Sequence, residues 1–431
     1  MMMIKPNLSS SLDTWLHYLE NIHTKTIDMG LERVKTVATR MNLSLNNSII
    51  VGGTNGKGSV CHMLESIYKA AGYRTGLYTS PHLVHYNERI HLDGAPCSEE
   101  KIVEALATIE QFRGDVSLTY FEYSTLAALY LFSQEQVDVA ILEVGLGGRL
   151  DAVNIIDADC SIITSIALDH TDYLGDTREK IAWDKAHIYR AGKTAICADP
   201  EPPSTLIEYA EQIQADLWLF GRDFNYSGDK QQWAFAARGT HRSALPWPSL
   251  RGANQLINAS AALAAIQALS HRLPVHNQAI KEGLLQLNLP GRFQILPGQP
   301  TIILDVAHNP HAVATLGHNL DHMSYHPYTH AVIGMLKDKD SLESIKCMGK
   351  RIDHWYCATL EGERGRAGDE LAETIRALNP ADKDGLPSVQ SFNTPEEAFE
   401  KALQNAHQDD RIVVFGSFLT VAAILKKLGR I

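Results

Sequence analysis

The chain has 431 residues, 45% of them apolar and 21% charged, with a formal net charge of −11. That length suggests two or three domains, the composition is that of a soluble globular protein with sizeable cores, and the acidic balance argues against a nucleic-acid partner. The six cysteines are scattered without a C-x-x-C pair, no apolar run approaches the length of a membrane span, and Met1 to Ser11 lacks an apolar signal segment, so reduced thiols and a cytoplasmic location are expected.

Residues 12–22 keep a helical period through Leu12, Trp15, Leu16, Leu19 and Ile22. A polar loop, His23 to Gly30, leads to a second helix over about 31–41. Ile49, Ile50 and Val51 read as a short buried strand that runs into Gly52-Gly53-Thr54-Asn55-Gly56-Lys57-Gly58-Ser59. Beyond this loop Val60, Met63, Leu64, Ile67, Tyr68 and Ala71 mark a helix that stops at Gly72. A strand, a Gly-rich turn, a lysine, a hydroxyl and a helix make a phosphate cradle: backbone N–H groups point inward, the helix N-terminus adds partial positive charge, and Lys57 adds a full one. The spacing differs from the common P-loop, because Val51 stands where the first Gly should be and Gly58 separates Lys57 from Ser59. A turn that binds nothing would not need so many residues that weaken a helix.

Residues 75–79 read as a strand ending at Ser80-Pro81-His82, where ligands bind in open α/β sheets. A nearly all-apolar, hence buried, helix runs through Phe132 after Leu118-Thr119-Tyr120-Phe121-Glu122-Tyr123. The strand 137–144 carries Glu143 near its end, a costly buried carboxylate unless it is paired or holds a metal. Gly145-Leu146-Gly147-Gly148-Arg149-Leu150-Asp151 follows, with its third Gly misplaced for a dinucleotide fingerprint. A strand over 160–168 ends in Asp169-His170-Thr171-Asp172. Ser80, Glu143 and His170 thus all end strands beside a phosphate loop.

Asp176 and Glu179 suggest a capping box for the next helix, on which Ile181, Lys185 and Ile188 share one face. Spacing alone favours a Lys185 that snorkels to the edge; the alternative is a modified or functional lysine. A small antiparallel excursion is expected within 200–250, around 217–220 and 233–236, and Asn258 is placed to cap an Ala-rich helix over 259–270. Leu289-Pro290-Gly291-Arg292-Phe293 reads as the domain junction. Strands at about 301–306, 330–335, 354–359 and 411–415, each followed by a helix, give a second doubly wound α/β domain. Its first strand ends Asp305-Val306-Ala307-His308-Asn309-Pro310, with Pro310 starting a helix, and its last leads to Gly416-Ser417-Phe418.

The phosphate loop, Ser80-Pro81-His82, the 142–151 segment, Asp169-His170-Thr171, Pro290-Gly291-Arg292-Phe293 and the 305–310 segment together resemble the folylpolyglutamate synthase family, and within it the bacterial bifunctional dihydrofolate synthase/folylpolyglutamate synthase branch. These motifs span nearly the whole chain, and the Gly between Lys57 and Ser59 separates this family from its Mur ligase relatives. The resemblance implies an α/β protein of two doubly wound domains: a P-loop, Mur-central-like domain over 1–293 and a smaller Rossmann-like ligase domain over 294–431. It implies ATP-dependent amide ligation, in which a pteroate or folate carboxylate becomes an acyl phosphate that the amine of L-glutamate attacks. Substrates would be ATP, L-glutamate, dihydropteroate and reduced folates, with a monomer as the active species.

By the family pattern, Gly53, Thr54, Asn55, Gly56, Lys57, Gly58 and Ser59 hold the phosphates, and Asn258, Arg292 and Asp305 make further ATP contacts. Ser80 and Glu143 match ligands of one Mg²⁺, His170 of a second, and Lys185 a lysine carried as a carbamate. Lys57, Lys185 and His308 form the catalytic set, with His308 beside the acyl phosphate or the incoming glutamate. The pterin would be met by Lys25, Thr26, Ile27, Asp28, Thr119, Tyr120, Phe121, Glu122, Leu150, Asp151 and Ala152, the ring stacking on Phe121. His187 stands where relatives carry Gly, and Ala253-Asn254-Gln255 where many carry a His-Asn pair. A monofunctional folylpolyglutamate synthase, a Mur-type ligase and a nucleotide-binding scaffold are the competing readings. Mur ligases usually carry an additional N-terminal domain, and a P-loop that begins only about 50 residues in argues against that reading.

Overall fold

The computed structural model describes residues 5–25, 27–229, 231–378 and 388–430, which fall into two compact units. The first comprises Met1–Ser249 and Leu256–Leu287, and the second Leu250–Gln255 and Asn288–Ile431.

The first unit opens with helices α1 (Leu12–Asn21) and α2 (Glu32–Met41), then β1 (Ser48–Gly52), α3 (Lys57–Ala70), β2 (Thr75–Tyr78) and the short strands β3 (Ile90–Leu92) and β4 (Ala95–Pro96). It continues with α4 (Glu99–Arg113), α5 (Tyr120–Gln134), β5 (Val139–Glu143), β6 (Cys160–Ile163), α6 (Thr171–Leu174), α7 (Arg178–Ala186), β7 (Thr194–Cys197), α8 (Ser204–Gln212) and β8 (Asp216–Leu219). Strands β9 (Phe224–Gly228), β10 (Gln232–Ala237) and β11 (Thr240–Pro246) form a separate antiparallel sheet, the excursion expected from the sequence. Helices α9 (Gln255–Ala268) and α10 (Asn277–Gln286) follow. The main sheet has the order β4-β3-β2-β5-β1-β6-β7-β8, parallel from β2 to β8. From β1 the chain winds first to the β2/β5 side and then to the β6–β8 side. The crevice outside the C-terminal end of β1 is therefore the topological switch point, where such sheets bind ligands. β1 and β5 are buried along their whole length, as doubly covered parallel strands must be.

The second unit holds β12 (Gln294–Leu296), β13 (Thr301–Leu304), α11 (Pro310–Asp321), β14 (Thr329–Ile333), α12 (Ser341–Met348), β15 (His354–Ala358), α13 (Gly368–Leu378), β16 (Ser388–Phe392), α14 (Pro395–Asn405), β17 (Arg411–Phe415) and α15 (Phe418–Lys427). Its sheet order is β12-β13-β17-β14-β15-β16, with only β12 antiparallel. Each unit has its own apolar core, one around Trp15, Phe132 and Tyr189, the other around Ile303, Trp355 and Val413. Among the described residues no helix is long and apolar enough to cross a membrane.

Local departures have local causes. The cap of α7 is Thr177, whose hydroxyl accepts from the Lys180 N–H, while Asp176 pairs with the Lys180 ammonium at 2.8 Å; the expected Asp176–Glu179 box does not form. The Ala-rich helix begins at Gln255, so Asn258 lies inside its first turn and is not its cap. The strand expected over 160–168 ends at Ile163, because residues 164–167 turn to bond the phosphate loop. Lys185 does not snorkel: it is buried, and its ammonium donates to the Gly53 carbonyl.

Candidate active site

The phosphate loop is shaped by its glycines and held by the segment after β6. Gly53 has φ +135, and a Cβ there would stand 2.0 Å from the Thr164 hydroxyl. Thr54 N–H donates to the Ser165 carbonyl at 2.7 Å, Asn55 N–H to the Ser165 hydroxyl, and the Thr164 hydroxyl donates to the Asn55 carbonyl. Thr54 itself exchanges hydrogen bonds with the Ala167 backbone. Gly56 has φ +95, and a Cβ there would meet the Asn258 amide oxygen at 2.6 Å. Asn258 is thus carried to the loop by the first turn of α9. Lys57, the first residue of α3, donates to the Gly53 and Thr54 carbonyls at 3.1 and 3.2 Å. Gly58 and Ser59 are buried in the same first turn.

Two ammonium groups converge on one loop: Lys185 reaches the Gly53 carbonyl at 3.2 Å, on the atom that Lys57 also contacts. Burial, and then the Lys57 charge, push the Lys185 pKa down to about 7. The segment after β5 makes room for this lysine. A Cβ at Gly148 would lie 2.8 Å from the Lys185 carbonyl, and one at Gly147 would lie 2.4 Å from an Asp184 oxygen. These glycines serve helix packing, which is why they do not fit a dinucleotide fingerprint. His187, next along, has its ring stacked on Tyr209 at 4.1 Å and its Nδ1–H donating to the Trp183 carbonyl.

Glu143, at the end of β5, is buried and accepts from the Ser80 N–H at 3.1 Å. Strand pairing puts it level with Val51 of β1. A buried carboxylate beside a hydroxyl-bearing residue, next to a phosphate loop, fits a hard divalent cation such as Mg²⁺. His170 is in the left-handed region, φ +52, at the head of α6 after the Asp169 turn. Its strain is of the kind that collects at functional sites.

The tip of the Phe121 ring lies against the start of the glycine segment, since a Cβ at Gly145 would be 2.5 Å from its Cζ. Asp151 is buried and accepts three N–H bonds, from Gly145, Leu146 and Val153, while burial raises its pKa to about 6. Leu150 is half-buried and Ala152 buried on either side. Thr119 caps α5 in a reciprocal box with Glu122. Glu122 also binds Arg33, which holds the Asp28 carboxylate at 2.8 Å and its carbonyl at 2.6 Å. Lys25 and His23 complete the shell of Asp28. Lys25, Asp28, Thr119 and Glu122 are therefore one network, with half-buried Ile27 beside it; Thr26 lies outside the described residues. Tyr120 packs edge-on to Tyr86, and the buried Arg89 guanidinium lies over both rings at 5.5 and 5.8 Å while donating to His82.

In the second unit Asp305 is half-buried, its pKa raised to about 6 by burial and opposed by the Arg292 charge. It accepts from Phe293 N–H and Ala307 N–H at 2.9 and 2.8 Å. His308 donates through Nδ1 to the Val306 carbonyl, and Asn309 caps α11 ahead of Pro310. Phe418 gathers the group: Arg292 lies over its ring at 5.4 Å and His308 is 6.0 Å away. Arg33, the 164–167 segment, Arg89 and Phe418 were not singled out from the sequence as site residues. Only Phe418 carried a signal, the tight turn at Gly416-Ser417.

Residues 51–266 match the Mur ligase middle domain and residues 291–418 the Mur ligase glutamate ligase domain. The dihydrofolate synthase/folylpolyglutamate synthase of Escherichia coli (strain K12) is 46% identical over 424 residues, covering 98% of this chain and 96% of the relative. That of Haemophilus influenzae is 40% identical, covering 96% and 97%. The solved structure of E. coli FolC in complex with DHPP and ADP superposes with a TM-score of 0.93 at 45% identity over 99% of both chains. A bifunctional folylpolyglutamate synthase/dihydrofolate synthase with Mn, AMPPNP and L-glutamate bound gives 0.90 at 43% identity, covering 99% of this chain and 100% of its own.

Proposed function

Since this chain belongs to the bifunctional dihydrofolate synthase/folylpolyglutamate synthase family, we propose how its residues divide the work of that reaction. It is an ATP-dependent amide ligase: it adds L-glutamate to dihydropteroate, giving dihydrofolate, and to reduced folates, giving folylpolyglutamates, through an acyl phosphate. The observation that carries the assignment is the convergence of Lys57 and Lys185 on the Gly53 carbonyl within a helix-terminal phosphate loop.

Phosphoryl transfer between two anions needs positioning and charge neutralisation more than covalent help. Gly53 to Ser59 cradle the phosphates, Lys57 neutralises developing charge, and Asn258 fixes the loop from α9. Divalent metal serves the reaction, and a Mg²⁺ held here would neutralise phosphate charge. Ser80 and Glu143 are the fitting donors for one ion and His170 for a second. A Lys185 with its pKa near 7 keeps much of its amine neutral, the form that adds carbon dioxide; as a carbamate it would be a carboxylate beside the second ion. Phe121 supplies the stacking face for the pterin, Asp151 and the 150–152 backbone its polar edge, and the Lys25–Asp28 loop with Thr119, Tyr120 and Glu122 the rim. Arg292 and Asp305 are assigned to the adenosine side of ATP, and His308 to the acyl phosphate or the incoming glutamate. Residues 1–293 are taken as the ATP, metal and pterin domain, 294–431 as the ligase domain, and the monomer as the active species.

The test is ATP- and Mg²⁺-dependent incorporation of labelled glutamate, run with dihydropteroate and with a reduced folate. Incorporation into both is expected; incorporation into the folate alone would leave a monofunctional folylpolyglutamate synthase. Lys57→Ala should abolish turnover on both while retaining the wild-type circular dichroism spectrum. Phe121→Ala should raise the KM for pterin substrates about tenfold and leave that for ATP unchanged; equal effects on both would remove the stacking role.

A further inference from the structure

One turn beyond the phosphate loop, α3 carries a second group of metal-competent side chains. His62 and Glu65 are three residues apart and share a helix face, and His91 of β3 meets them. One donor atom from each lies within 4.8 Å of the other two. The His91 Nδ1 is 3.1 and 3.2 Å from the two Glu65 oxygens, and the His62 and His91 rings stand edge-on with centroids 5.6 Å apart. Donors held about 2.0–2.1 Å from a tetrahedral ion are about 3.3 Å apart, so the glutamate–histidine edge already has that spacing. Glu65 is only 5% exposed, and both histidines are half-buried.

The surroundings of His62 favour ligation. Its Nδ1 lies 2.8 Å from the Gly58 carbonyl. A carbonyl can only accept, so Nδ1 carries the proton and the lone pair sits on Nε2, the arrangement that an outer hydrogen bond imposes on metal-binding histidines. The His62 ring, edge-on to that of His91, adds a second imidazole to the ion pair between His91 and Glu65. Two imidazoles and a carboxylate suit a borderline ion such as zinc, whereas the oxygen-rich strand ends suit magnesium.

We propose that His62, Glu65 and His91 form a zinc-type transition-metal site, separate from Ser80 and Glu143. Because Gly58 belongs to the phosphate loop, an ion held there braces the first two turns of α3, and with them the loop, against β3, the second strand of the sheet.

The test uses the full chain in excess Mg²⁺, which fills the oxygen sites, and Co²⁺ as the spectroscopic probe. One equivalent of Co²⁺ should give the intense visible bands of a four- or five-coordinate nitrogen–oxygen site, and Zn²⁺ should displace it. His62→Gln and His91→Gln, both at half-buried positions, should each weaken Co²⁺ binding about tenfold or more. His170→Gln should leave it unchanged. Zn²⁺ should raise the unfolding temperature of the wild type and of neither variant. Absence of the bands, their persistence in both variants, or their loss in His170→Gln with retention in His62→Gln would overturn the proposal.

Discussion

At the scale of single residues, Lys185 stores an electrostatic cost that pH can read. Its folded-state pKa stands near 7, below the ordinary 10.5, mainly because it is buried. Between those values the unfolded chain binds a proton that the folded chain does not, so folding stability rises with pH across that window and is lowest below it. In carbonate-free buffer the wild type should gain about 2–3 kcal/mol over Lys185→Met between about pH 7 and pH 9. Urea denaturation at each pH measures this, and parallel curves would mean the amine is not desolvated. Spacing placed Lys185 on an apolar face but could not tell a snorkelling side chain from a buried one. That depends on what lies above it, here Gly53 and the glycines at 147 and 148.

At the scale of elements, the strand-end loops are fixed by what they bond and not by propensity. Gly53→Ala would drive a methyl into Thr164 and force a side chain into a φ that L residues rarely adopt. It should destroy ADP binding and cost about 1–3 kcal/mol of stability, read by calorimetric titration and chemical unfolding. On the pterin side proposed above, Arg33 joins Asp28 before α2 to Glu122 in the first turn of α5. Arg33→Leu should therefore raise the KM for dihydropteroate severalfold and leave the KM for ATP in place, and Arg33→Lys should recover only part, because one ammonium cannot make the forked contacts of a guanidinium. The glycines of the loop were legible because the backbone must turn there. Arg33 was not, since an arginine on a polar helix face has the same pattern whether it is solvated or clamps two acids 94 residues apart in the chain.

At the scale of the whole molecule, the two units each bury an apolar core of their own. Ile303→Ala, cut into the second core, should cost about 2–5 kcal/mol and lower the part of the calorimetric transition that the second unit contributes. The sequence by itself determined the two α/β sheets, the phosphate loop, the strand-end positions of Ser80, Glu143 and Asp305, and the family, because each depends on residues adjacent in the chain: periodicity, glycine turns, caps and motifs. Tertiary structure alone decided that Asn258 leaves the cap position to reach Gly56, that residues 164–167 abandon the strand to hold Thr54 and Asn55, and that Arg292 and His308 gather about Phe418. Those outcomes depend on pairings across a hundred residues or more of chain. Only the order of the strands in the sheets brings such partners together, and no local pattern encodes it.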